Sequence, residues 1–164
     1  MPQGRIAKEL KELIAGLSTK YLTPNFQPHV TLIGELYLPK DKVLSGTKEL
    51  ARKIEPFEIT LGEVSYLEEY YRCVFIRACK TKILMNAHAA ACGVFMLTPT
   101  GKYMPHLSLM YGNLSSQTKQ QIIQDIGYKM DIKFLAAEIH IYYTGGDPEG
   151  WYQVAKMHCG CRTS

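Results

Sequence analysis

The chain has 164 residues, 46% of them hydrophobic, and a formal net charge of +4 at pH 7. That is room for one domain, of one core or two similar lobes, with enough apolar content to exclude wholesale disorder. Long unbroken apolar runs and a signal-peptide layout are absent, and the mild basic balance suits small anionic ligands rather than duplex nucleic acid or a membrane.

In chain order, Ile6, Leu10, Leu13, Ile14 and Leu17 recur at helical spacing, and Thr23-Pro24-Asn25 breaks the pattern. A strand is expected over 28–38, then a second helix carrying Val43, Leu44, Leu50 and Ile54 and ending before Pro56. Residues 57–61 alternate like a half-buried strand, and 71–79 are rich in β-formers. Ala87, Ala89, Ala90 and Ala91 mark a third helix over 81–94, and 98–102 is a loop before a strand at 104–111. Ser115 is placed to cap a fourth helix with Ile122, Ile123 and Ile126 on one side. Residues 132–144 and 151–157 read as a closing hairpin turned at Gly145–Gly150. The element order helix–strand–helix–strand–strand thus occurs twice, which predicts an α+β, bilobal, pseudo-twofold domain over 1–164.

A five-residue phrase repeats within this pattern: Pro28-His29-Val30-Thr31-Leu32 and Pro105-His106-Leu107-Ser108-Leu109. With five histidines and eight prolines in the whole chain, composition does not account for a second copy. On an extended segment His29 and Thr31 share one face and Val30 the other; His106, Ser108 and Leu107 divide the same way. Two imidazoles on opposite sides of one phosphorus suit general base and general acid roles, and Thr31 and Ser108 suit hydrogen bonding to non-bridging oxygens. The scheme needs neither metal nor cofactor. Each histidine alone would be an ordinary strand residue; the repetition makes them catalytic candidates.

The paired His-x-Thr/Ser motifs resemble those of the two-histidine (2H) phosphoesterases. The wider context, from Phe26 to Leu32 and from Tyr103 to Tyr111, looks most like the plant-type cyclic phosphodiesterase branch. The resemblance implies two antiparallel sheets flanking a central cleft with helices outside, and metal-independent opening of small cyclic phosphates. The substrates it implies are ADP-ribose 1″,2″-cyclic phosphate and nucleoside 2′,3′-cyclic phosphates, the latter opened to 2′-phosphates. It also implies that Tyr111 faces the groove and touches the ligand. One departure is that such chains usually open with a strand, whereas helical periodicity here begins at about Ile6.

Two alternatives are an RNA-end-processing or RNA-ligase-like member of the superfamily, which calls for a continuous basic or aromatic track, and a non-catalytic nucleotide-binding module. The five cysteines, Cys73, Cys79, Cys92, Cys159 and Cys161, are odd in number and are expected as reduced thiols in a cytoplasmic, monomeric protein. His158-Cys159-Gly160-Cys161 lacks a second ligand pair at zinc spacing. His88 and His140 read as structural, Trp151 as core, and Lys102 as a solvated loop residue. Tyr66, Tyr70, Tyr71 and Phe26 read as packing groups that could also stack on a base.

Overall fold

The structure, a computed structural model, describes residues 1–98 and 103–160. The first amphipathic pattern folds as helix α1 (Gly4–Tyr21), which buries Leu10, Ile14 and Leu17 one turn apart. It ends at Leu22, whose left-handed backbone (φ 54°) turns the chain into the extended segment that carries the first motif. Strands β1 (Phe57–Ser65), β2 (Val74–Ala78), β3 (His106–Met110) and β4 (Lys129–Ala136) form an antiparallel sheet in the order β3-β2-β1-β4. A register shift between Leu61 and Val64 keeps both on the buried face despite their odd spacing. Helix α4 (Ser116–Ile126) is capped as expected, the Ser115 hydroxyl accepting the Thr118 N–H at 3.2 Å, and buries Ile122 and Ile123 in the same core as α1.

A second, smaller core lies between helices α2 (Lys40–Lys53) and α3 (Lys82–Val94) and the hairpin β5 (Glu138–Tyr143)–β6 (Tyr152–His158). Leu50, Ile54, Ala87, Ala91 and Phe95 fill it. The helices approach so closely that a Cβ on Gly46 would sit 2.7 Å from the Phe95 ring. Leu32, Ile33 and Leu36, from the first-motif segment, pack against this core. The fold is therefore α+β, with four helices and two antiparallel sheets among the described residues.

Two expectations fail. Residues 28–38 are not a strand: the segment makes one isolated antiparallel bridge, Val30 to Leu107, and then leaves the sheet. Its apolar residues Leu32, Ile33 and Leu36 do not alternate, so a flat strand could not bury all three; the segment bends to insert them beside α3. Residues 132–144 are two strands rather than one. The chain crosses at Ala137 from the large sheet, where β4 pairs with β1, to the small one, where β5 pairs with β6. The expected repetition of element order is lost with these two changes. The four described cysteines are free thiols; Cys161 and Lys102 lie outside the described residues. No helix among the described residues is long and apolar enough to cross a membrane.

Candidate active site

The bridge between Val30 and Leu107 joins the middle residues of the two motifs. In an antiparallel pair the flanking residues lie across from one another, so His29 faces Ser108 and Thr31 faces His106. Alternation sends Val30 and Leu107 to one side and all four polar residues to the other. His29 and His106 are then diagonal neighbours, a relation that in a regular antiparallel ladder spans about 7–8 Å. The large sheet extends this face. Phe75 and Arg77 on β2 pair in register with Ser108 and His106. The Phe75 ring, fully buried, meets the His106 ring edge-to-face at 5.1 Å.

The two imidazoles are held alike. His29 Nδ1 lies 2.7 Å from the carbonyl oxygen of Gln27, and His106 Nδ1 lies 2.8 Å from that of Met104. A carbonyl only accepts, so each Nδ1 carries the hydrogen and each neutral ring presents an unprotonated Nε2. Burial pushes both imidazoles below the ordinary value of 6.5, against the carbonyl bonds, which favour the charged form. A charge on His106 lowers His29 further, while the guanidinium groups of Arg72 and Arg77 lower His106 and Glu69 opposes them.

The hydroxyl residues differ. Thr31 is exposed. Ser108 is 5% exposed, and its hydroxyl donates to the Tyr71 carbonyl at 3.1 Å. Tyr111 is 3% exposed and stacks on Phe26, with ring centroids 3.8 Å apart, so it reaches the site from beneath rather than as an open wall. Its phenol is pushed up by burial, with nearby Ser108 acting against the rise. Tyr71, half exposed, stacks on Trp151 at 6.0 Å and meets Tyr111 edge-on. Tyr66, Tyr70 and Trp151 pack against the large core.

Sequence reasoning misses Arg72 and Arg77. Arg77 was legible as the lone charge in the otherwise apolar strand Val74–Ala78; Arg72 carries no such signal. Among the described residues no three His, Cys, Asp or Glu side chains gather as a ligand set for a metal ion. Glu138, nearly buried on β5, instead pairs with Lys156 at 3.0 Å and has the ring nitrogens of His140 (3.1 Å) and His158 (3.4 Å) beside its carboxylate.

The duplicated motifs thus bring two imidazoles to one face of the paired segments, on an α+β frame. A family model described as the 2′-5′ RNA ligase superfamily matches residues 2–148, and the chain belongs to that family. A relative from Arabidopsis thaliana named cyclic phosphodiesterase is 28% identical over 131 residues, spanning 80% of this chain and 72% of that protein. The fold is also that of TT0787 from Thermus thermophilus, with a TM-score of 0.63 at 16% identity over 93% of both chains. Escherichia coli LigT, crystallised with 3′-AMP, gives a TM-score of 0.63 at 12% identity over 92% of this chain and 91% of its own.

Proposed function

We propose that the protein opens small nucleotide-derived cyclic phosphates without a metal ion, the substrates being ADP-ribose 1″,2″-cyclic phosphate or nucleoside 2′,3′-cyclic phosphates. The observation that carries this is the matched setting of His29 and His106: same face, Nδ1 tied to a carbonyl, Nε2 left for the ligand. In the reaction, His106 Nε2 takes a proton from water as its oxygen attacks phosphorus. The bond from phosphorus to the ribose 3′ oxygen breaks in line, and protonated His29 gives its Nε2 proton to that oxygen, leaving a 2′-phosphate. Thr31 and Ser108 donate to the non-bridging oxygens, Ser108 turning from the Tyr71 carbonyl to do so. Arg72 and Arg77 add positive field beside His106.

The likeness to a protein named cyclic phosphodiesterase supports this branch over the RNA-end-processing one. So does the charge pattern. The described cations on this face of the large sheet are matched by carboxylates, Arg77 with Glu63 at 3.8 Å, Lys133 with Glu58 at 3.3 Å and Lys129 with Asp131 at 2.8 Å. A paired checkerboard gives little attraction to a long polyanion. The reading includes a monomer in the cytoplasm.

Incubation with adenosine 2′,3′-cyclic phosphate plus a chelator, followed by phosphorus NMR, tests the proposal. A single 2′-phosphate product in the presence of chelator is expected. Binding of 2′-AMP without turnover would identify a nucleotide-binding module instead, and activity confined to RNA ends would identify the RNA-processing alternative.

A further inference from the structure

The first motif has almost no backbone ladder to hold it, yet it must keep His29 and Thr31 aimed at the second. Two successive carbonyls just past its bridge are gripped by side chains. The Tyr103 hydroxyl donates to the Thr31 carbonyl at 2.9 Å, and His88 Nδ1 donates to the Leu32 carbonyl at 2.8 Å. The two gripping rings stack face to face, with centroids 3.7 Å apart and planes within 5°. The acceptor at Leu32 places the hydrogen on His88 Nδ1, so His88 Nε2 is an acceptor, and the Cys92 thiol lies 3.5 Å from it. Every polar atom of the pair is thereby assigned one role. Tyr103 also lies two residues before Pro105-His106, so the chain that delivers the second motif directly holds the first.

We infer that the stacked pair His88–Tyr103 is a clasp that positions the first motif against the second, replacing the sheet ladder that residues 28–38 lack. Neither ring is placed to touch the reacting atoms; both are positioning residues. The clasp acts on Thr31 and on the orientation of His29, and this catalytic role rests on the reading of the site as a phosphodiesterase. Small displacements of a catalytic group cost large factors in rate. Loss of one grip is therefore expected in kcat more than in KM, because β3 continues to present His106 and Ser108 to the phosphate.

The test uses Tyr103→Phe and His88→Phe, which keep a stacked ring and remove the donor, and His88→Asn, whose amide nitrogen returns a donor near the Nδ1 position. Two readouts are needed: kcat and KM on adenosine 2′,3′-cyclic phosphate, and hydrogen exchange of the Leu32 and Ile33 amides by NMR. Both Phe variants are expected to lose about tenfold in kcat with KM little changed, to speed those amides about tenfold, and to keep a near-normal melting temperature. His88→Asn is expected to recover most of the loss. Wild-type exchange rates and kcat in both Phe variants would overturn the clasp. A wild-type protein that does not turn over the substrate would overturn the proposed function instead, while exchange at Leu32 and Ile33 would still decide whether the pair holds the segment.

Discussion

Val30 and Leu107 form an isolated antiparallel bridge at the centre of the two motifs, and this pairing puts His29, Thr31, His106 and Ser108 on one face. If both imidazoles serve one phosphorus, removing either should cost nearly as much as removing both. His29→Ala and His106→Ala are each expected to lower kcat at least a hundredfold, with the double variant little worse than the singles. Neither ring fills a core cluster, so thermal melting should hold near the wild-type value. Multiplicative losses in the double variant would argue that the two act independently.

Both imidazoles lie below 6.5 in the free protein, chiefly through burial. Because kcat/KM reports free-enzyme groups, its maximum is expected on the acid side of 6.5, with lower values at pH 8 than at pH 6. A bound phosphate anion favours imidazolium, so the profile of kcat should lie to the alkaline side of that of kcat/KM. The same shifts bear on folding. The fold favours the neutral rings, so this stabilisation is present above pH 6.5 and is lost as pH falls through their lowered values. A kcat/KM optimum at or above pH 7 would contradict the assignment of these groups.

Tyr71 offers a half-exposed ring beside Ser108, backed by Trp151. Base–aromatic stacking is worth roughly 1–3 kcal/mol, so Tyr71→Leu is expected to raise KM for the adenosine substrate about tenfold with a smaller change in kcat. Steady-state kinetics with a ribose cyclic phosphate lacking the base provides the control, since its KM should not respond to the substitution.

Lys119 on α4 is 2% exposed and donates to the Leu67 carbonyl and the Glu68 carboxylate, both at 2.9 Å. It anchors the β1–β2 connection, whose Tyr71 carbonyl receives Ser108 and whose Tyr70 carbonyl receives the Gly112 N–H. Lys119→Met keeps the volume and strands the Leu67 carbonyl, which should cost about 2 kcal/mol. At 164 residues that corresponds to a fall in melting temperature of roughly 4–8 °C, measurable by calorimetry.

Much of this was legible in the sequence because it rested on local pattern. Helix α1 followed from the spacing of Leu10, Ile14 and Leu17, the α4 cap from Ser115, and the candidate histidines from the duplicated phrase. What failed depended on distant partners. Residues 28–38 look like a strand until Leu32 and Ile33 find α3, and the break at Ala137 is set by which sheet each flank joins. The roles of His88 and Tyr103 were invisible for the same reason, since the carbonyls they grip lie 56 and 72 positions away. Arg77 acquires meaning only once β2 lies in register beside His106.

The most direct test of two imidazoles sharing one phosphate is an NMR titration of the histidine ring nitrogens with 2′-AMP. The Nε2 signals of His29 and His106 should shift together, with one dissociation constant at one equivalent of ligand, and both rings should take up protons more readily in the complex. Movement of only one of the two, or two different dissociation constants, would contradict the site.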